Sequence, residues 1–126
     1  MHFMLGKAQR DAKRGWFIGQ FVPAEFGIRR RTDVEVKWGI HTKGERRGDV
    51  WASYRTSSTI SVLIDGSFIV RLRVDGQIHE VLLEEKGDYI IISPQIDHNW
   101  ESPEDSTILT IRCPSVSGDL IERIDR

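Results

Sequence analysis

Three imidazoles are the groups in this chain best suited to hold a metal or move a proton. His41 follows Trp38-Gly39-Ile40, His79 lies in an alternating run after Asp75-Gly76, and His98 follows Pro94-Gln95-Ile96-Asp97. A single imidazole does not hold a divalent metal against water, so His98 would need His41 and His79 as partners, and a three-histidine set requires only that the rings converge. Without a metal, His98 is a hydrogen-bonding group that titrates near neutrality, or the general base of a metal-free isomerase. Convergence is decided by the fold, so one divalent metal and no cofactor both stand as expectations.

Other side chains bear on the same chemistry. Of the four tryptophans, Trp38 and Trp100 neighbour His41 and His98 and are candidates for the wall of a ligand pocket, whereas Trp16 and Trp51 have no such neighbours. Indole rings more commonly pack a core than form a ligand platform. Cys113 is the sole cysteine, so no internal disulfide forms. Its flank, Ile111-Arg112-Cys113-Pro114, reads as the end of a strand and a buried, inert thiol.

Composition narrows the partners. Eighteen Lys and Arg offset nineteen Asp and Glu, a formal charge of -1, whereas a protein that neutralises phosphates along nucleic acid carries a basic excess. Nucleic acid is therefore not expected. Arg29-Arg30-Arg31 with Arg46 and Arg47 form a local basic exception, read either as solvated loop charge or as a patch for an anionic ligand. With 39% hydrophobic and 29% charged residues over 126 positions, the chain is expected to form one domain around one core. Met1-His2-Phe3-Met4-Leu5 meets charge at Lys7, too soon for a secretory apolar region, and no run is long enough to cross a membrane. A soluble, cytoplasmic protein follows.

Positioning these residues falls to short strands. Residues 1–22 read as a basic arm, with Lys7, Arg10, Lys13 and Arg14, followed by a first strand through Trp16-Phe17-Ile18 and Phe21-Val22 that stops at Pro23. That strand could also pair onto a second subunit's sheet edge. Val34-Glu35-Val36-Lys37-Trp38 alternates apolar with charged residues, the mark of a strand with one face buried and the other wet. Ile60 to Ile64 forms another strand and Asp65-Gly66 a turn. Around Asp75-Gly76 the spacing predicts a hairpin in which Val74 faces Gln77, Leu72 faces His79, Arg71 faces Glu80 and Phe68 faces Leu83. That register puts His79 on the apolar face beside Leu72, as a pocket residue or as a satisfied histidine at the rim. Strands follow at Tyr89 to Ile92 and Thr107 to Arg112. Ser117-Gly118-Asp119 reads as the cap of a short C-terminal helix over 117–126.

Gly87-Asp88-Tyr89, Ile90-Ile91-Ile92-Ser93-Pro94 and then His98 resemble the second signature motif of the cupin superfamily, in which a glycine, a proline and a metal-binding histidine close a hairpin. Pro94 comes one residue late, the motif's second glycine falls on Gln95, and its trailing asparagine falls on Ser102, with Asn99 next to His98. The first motif would end at Gly66. Its glutamate then falls on Thr59 and its two histidines on Ser53 and Arg55, or on Ala52 and Tyr54, none of which replaces imidazole as a ligand.

The resemblance covers residues 34–114. It implies an all-β, cupin-like jelly-roll β-barrel with an internal ligand pocket, in a family that is frequently homodimeric and spans dioxygenases, sugar isomerases and sugar-sensing domains. The expected function is binding of a small polar or anionic metabolite, with His98, one of Arg55 or Tyr54, and Trp38 and Trp100 at the ligand. The alternative is a metal-dependent oxygenase or isomerase with a relocated His41, His79 and His98 site. Period two counted back from Ile60 turns Tyr54 inward with Ile60, Val62 and Ile64, while the motif count runs through Leu63, Ser61 and Thr59 to Arg55.

Overall fold

A computed structural model describes residues 3–11 and 14–125. Met1, His2, Ala12, Lys13 and Arg126, which enter the readings of the N-terminus, the arm and the C-terminal helix, lie outside the described residues. A four-residue helix, α1 (Ala8–Asp11), precedes β1 (Trp16–Ile18), and a kinked 3-10 turn spans Ala24–Arg29. Then follow β2 (Glu35–His41), β3 (Val50–Tyr54), β4 (Ser58–Asp65), β5 (Phe68–Val74), β6 (Gln77–Leu83), β7 (Tyr89–Ile92), β8 (Asp97–Glu101), β9 (Ser106–Cys113) and β10 (Leu120–Ile124). They build two antiparallel sheets, ordered β1-β2-β9-β4-β7 and β10-β3-β8-β5-β6.

The Asp75-Gly76 hairpin has the register its turn dictates, with Val74 opposite Gln77, Leu72 opposite His79, Arg71 opposite Glu80 and Phe68 opposite Leu83. Asp75 and Gly76 both have positive φ, 51° and 76°, as a two-residue turn matched to strand twist requires. Arg71 and Glu80 form the cross-strand ion pair at 3.0 Å.

Two elements differ from expectation. Residues Leu120–Ile124 are a strand, not a helix: β10 pairs with β3 from Leu120 opposite Tyr54 to Ile124 opposite Val50. An isolated helix of that length has too few hydrogen bonds to offset its nucleation cost, and the open edge of β3 supplies a full ladder instead. Asp119 does cap backbone amides, but those of Thr56 and Ser57, at 3.0 to 3.1 Å. The first strand ends at Ile18 and pairs with β2 of its own chain, and Val22 beyond it is buried in the following turn.

A third difference concerns polarity. Leu63, Phe68, Val70, Leu83, Ile92 and Ile108 form the core between the sheets. Toward the other end of the barrel, the first sheet turns its polar side chains inward. Lys37 and Thr110 pair across β2 and β9, Thr110 pairs with Ser61 of β4, and the adjacent inward row runs Glu35, Arg112, Thr59. Their neighbours Val36 and Trp38 therefore face outward, the reverse of the usual assignment for an alternating strand.

Candidate functional site

Between the sheets lies a cavity of about 960 Å³, walled by inward side chains of both and bordered by the segments around residues 20–29 and 116–122. Its chemistry is concentrated in a few contacts. His98 projects inward from β8, where its strand neighbour on β3 is Ala52, almost wholly buried and too small to fill the space. Its Nδ1 lies 3.1 Å from the Ile96 carbonyl oxygen, which only accepts, so Nδ1 carries the proton and Nε2 keeps its lone pair. Burial lowers the His98 pKa, and Arg112 and Arg47 lower it further against the opposing hydrogen bond to Ile96. The ring is neutral at pH 7.

Tyr54 stacks on His98 with 6.1 Å between ring centroids and 27° between planes. Burial raises its pKa, so the phenol keeps its proton. The Arg112 guanidinium lies 3.8 Å from the Tyr54 centroid and 4.9 Å from that of Trp16. Its Nη1 donates to Glu35 Oε2 at 2.9 Å and its Nε to Thr59 Oγ1 at 3.3 Å, while Ser115 donates to Glu35 Oε1.

Four further cations, Arg14, Arg29, Lys37 and Arg47, border the cavity. Arg47 pairs with Glu122 at 3.2 Å. Lys37 sits 5.7 Å from the Trp16 centroid and, among the described residues, forms no ion pair. Burial lowers its pKa, and Arg112, Arg47 and Arg14 act in the same direction. An ammonium among like charges and without a carboxylate partner is a group that an anion would complete.

Of the residues singled out from sequence, His98, His41, Tyr54 and Trp100 line this cavity; Arg55, Trp38 and His79 do not. Arg55 is exposed where the chain leaves β3, and this break between β3 and β4 lets Tyr54 and Thr59, Ser61 and Leu63 all face inward. Trp38 faces out from β2. His79 has the expected register beside Leu72, but at the far end of an edge strand, where it is exposed. His41 packs against Trp100 and Phe68 at 4.5 and 5.2 Å, with Nδ1 3.0 Å from Glu45 Oε2. Burial lowers its pKa, and the Glu45 hydrogen bond opposes this.

The metal that the cupin resemblance implies does not fit this donor set. Among the described residues no three of His, Cys, Asp and Glu converge. Thr59, at the position of the motif glutamate, accepts from Arg112, whose guanidinium covers Tyr54. A fixed cation therefore occupies the wall from which the missing ligands would project. The turn before His98 is retained without its glycine. Gln95 adopts φ 69°, the left-handed conformation that glycine adopts freely, and its backbone N–H donates to Tyr54 O at 2.7 Å. Glu35, Lys37 and Arg112 went unrecognised as site residues, although charge at alternating positions within otherwise apolar strands was their visible signal.

No family model and no curated protein matches the sequence. Solved structures do. The capsular polysaccharide assembling protein CapF from Staphylococcus aureus superposes with a TM-score of 0.55 at 22% identity over 72% of this chain and 28% of its own. A cupin protein from Bacteroides fragilis gives 0.52 at 20% identity, covering 68% and 70% of the two chains. QdtA, a sugar 3,4-ketoisomerase from Thermoanaerobacterium thermosaccharolyticum solved in complex with TDP, gives 0.58 at 17% identity over 68% and 64%. The chain thus spans little more than a quarter of CapF. The architecture is the cupin fold.

Proposed function

We propose that this cupin barrel binds a small hydroxylated anion, a sugar acid, hydroxy acid or sugar phosphate, in its lumen without a metal. The observation that carries the reading is Lys37, a half-buried ammonium on the cavity wall with no carboxylate partner among the described residues. Arg112 and Arg47 reinforce the positive field there. The unprotonated Nε2 of His98 is an acceptor for a ligand hydroxyl, and the Tyr54 phenol can donate or accept. That QdtA was solved with TDP is in keeping with an anionic occupant of such a barrel.

The test is thermal unfolding in the presence of gluconate, malate, glucose 6-phosphate and, as the uncharged control, glucose. Binding to the native state raises the melting temperature. The anions should raise it and glucose should not, and the rise should shrink in Lys37→Met. An equal response to glucose, or none to any anion, would discard the proposal.

A second reading follows from the fixed tautomer of His98. A neutral imidazole with a free Nε2 beside a protonated phenol is suited to take a proton from a carbon next to a carbonyl and return one from Tyr54. Incorporation of deuterium from solvent into a bound keto sugar, abolished in His98→Gln, distinguishes an isomerase from a binding module.

A further inference from the structure

We propose that Lys37, His41 and Glu45 form a carbonyl-capturing site, at which an oxo acid condenses with the Lys37 amine to form an imine. This rests on the reading that the lumen receives an anion, and it narrows that anion to one carrying an aldehyde or ketone. Lys37 and His41 line the cavity from β2, and the residue midway between them on the same face of the strand is Gly39. A Cβ at Gly39 would lie 3.1 Å from His41 Nε2, 3.3 Å from the Ile108 carbonyl oxygen and 3.6 Å from Lys37 Cε. The glycine thus leaves a gap onto which the imidazole and the lysine stem both open. A hydroxyl oxygen lodged there is within hydrogen-bonding distance of Nε2.

The imidazole is held for this task. Glu45 Oε1 accepts from the Thr42 backbone N–H and hydroxyl at 3.0 and 3.1 Å, and Glu45 Oε2 lies 3.0 Å from His41 Nδ1. A carboxylate that only accepts puts the proton on Nδ1 and leaves a lone pair on Nε2, on the side of the gap. Nε2 has no hydrogen-bond partner among the described residues. An amine beside a base that a third group orients is the arrangement that activates a nucleophile. Lys37 is suited to that part: burial and the cations Arg112, Arg47 and Arg14 lower its pKa, so its ammonium gives up a proton more readily than a solvated one. Arg112 and Arg47 remain on the cavity wall to hold the carboxylate or phosphate of the same molecule.

The step balances without a further reactant. His41 Nε2 takes one proton from the Lys37 ammonium, and the freed Nζ lone pair bonds to the carbonyl carbon while the carbonyl π pair moves to oxygen. A second proton passes from Nζ to that oxygen, giving a carbinolamine hydroxyl. His41 then returns its proton to the hydroxyl, the C–O bond breaks, water leaves and the nitrogen lone pair closes the C=N bond. Ammonium and carbonyl become iminium and water, and the imidazole ends neutral. A second cavity of about 600 Å³, bounded by Gln9, Arg14, Glu45 and Trp100, shares Lys37 and His41 with the lumen and gives that water a way out that does not pass the bound anion.

Reductive trapping tests this. The intact protein is incubated with pyruvate and cyanoborohydride, and the adduct is counted by intact mass and located by peptide mass spectrometry. One adduct per chain should form, on Lys37, well ahead of the exposed Lys7, Lys43 and Lys86. Lys37→Arg keeps the charge but cannot condense, and should lose that adduct. His41→Gln should slow trapping about a hundredfold, the lower end of what a positioned acid–base group supplies. If His41→Gln fails to fold, Glu45→Gln at the surface decides, because it frees the ring and should slow trapping in the same direction. Adducts spread evenly over the lysines, or trapping on Lys37 at the wild-type rate in the folded His41 or Glu45 variant, overturn the proposal. No adduct on Lys37 while gluconate still raises the melting temperature strikes the imine alone, and the loss of both strikes the anion reading with it.

Discussion

The guanidinium of Arg112 lies face-on over the ring of Tyr54, 3.8 Å from its centroid, and so joins β9 of one sheet to β3 of the other across the lumen. The contact fixes the phenol against His98 and leaves the cation between two aromatic rings, where its charge is answered by Glu35. Both members of that ion pair are buried, at 8% exposure.

Arg112→Met should destabilise the fold by about 3–5 kcal/mol, because it leaves the Glu35 carboxylate buried without its counter-charge. The double variant Glu35→Gln, Arg112→Met should lose less than the sum of its parts, since no lone charge then remains. Urea denaturation of the four proteins at neutral pH gives the cycle. A single Arg112→Met that unfolds at the wild-type midpoint would mean that solvent already screens the pair.

Lys37 is expected to act on ligand rather than on stability, because among the described residues it has no ion-pair or hydrogen-bond partner to lose, only a long contact with the Trp16 ring. Lys37→Met should weaken binding of gluconate or glucose 6-phosphate about tenfold, roughly 1.4 kcal/mol, the scale of one hydrogen bond to a charged group. Its own unfolding midpoint should stay where it was. Calorimetric titration measures the first and urea the second. Unchanged affinity would remove the ammonium from the binding site.

Acid should weaken the fold through its histidines. Burial holds both His98 and His41 below the ordinary value of 6.5, so beneath that value the unfolded chain binds protons that the folded chain refuses. Unfolding is then favoured by acidification: the full stability is present above about pH 6.5 and is lost progressively as the pH falls toward the depressed folded values. Melting temperatures between about pH 7.5 and 5 should fall, and His98→Gln should flatten the slope. Equal slopes in the two proteins would show that His98 titrates as it does in the unfolded chain. Nitrogen chemical shifts of the ring supply a second check, with Nδ1 expected to be the protonated atom.

What could be read from sequence was whatever depends on neighbours along the chain. The Asp75-Gly76 turn sets its register by backbone geometry alone, and it carried Arg71 opposite Glu80 and His79 beside Leu72. The fold followed from the glycine, proline and histidine spacing that ends at His98. What could not be read was which way an alternating strand faces when a polar cavity takes the place of solvent on its inner side. Val36 and Lys37 alternate identically whether lysine meets water or a chamber, so the inward charges of β2 escaped notice. Leu120 to Ile124 was misread for a related reason: five residues with apolar positions at 120, 121 and 124 suit a helical turn as well as a strand, and only the vacant edge of β3 decides.

That edge gives a last prediction. Asp119 replaces the expected helix cap with a capping contact between distant segments: its carboxylate accepts from the amides of Thr56 and Ser57 and from the Thr56 hydroxyl at 2.8 Å, and its carbonyl accepts from Arg55 N. Asp119 and Ser57 are buried, so removing the carboxylate strands the Ser57 N–H away from water, whereas the donors of exposed Thr56 turn to solvent. Asp119→Ala should therefore cost about 2–3 kcal/mol, more than an exposed cap, whereas Asp119→Asn, which keeps one acceptor oxygen, should lose about half of that. Because β10 begins at the next residue and closes one side of the cavity with Leu120 and Glu122, hydrogen exchange in Asp119→Ala should quicken first along β10 and the adjoining edge of β3. Exchange that quickens evenly across both sheets would mean that Asp119 supports the whole barrel and not this one strand.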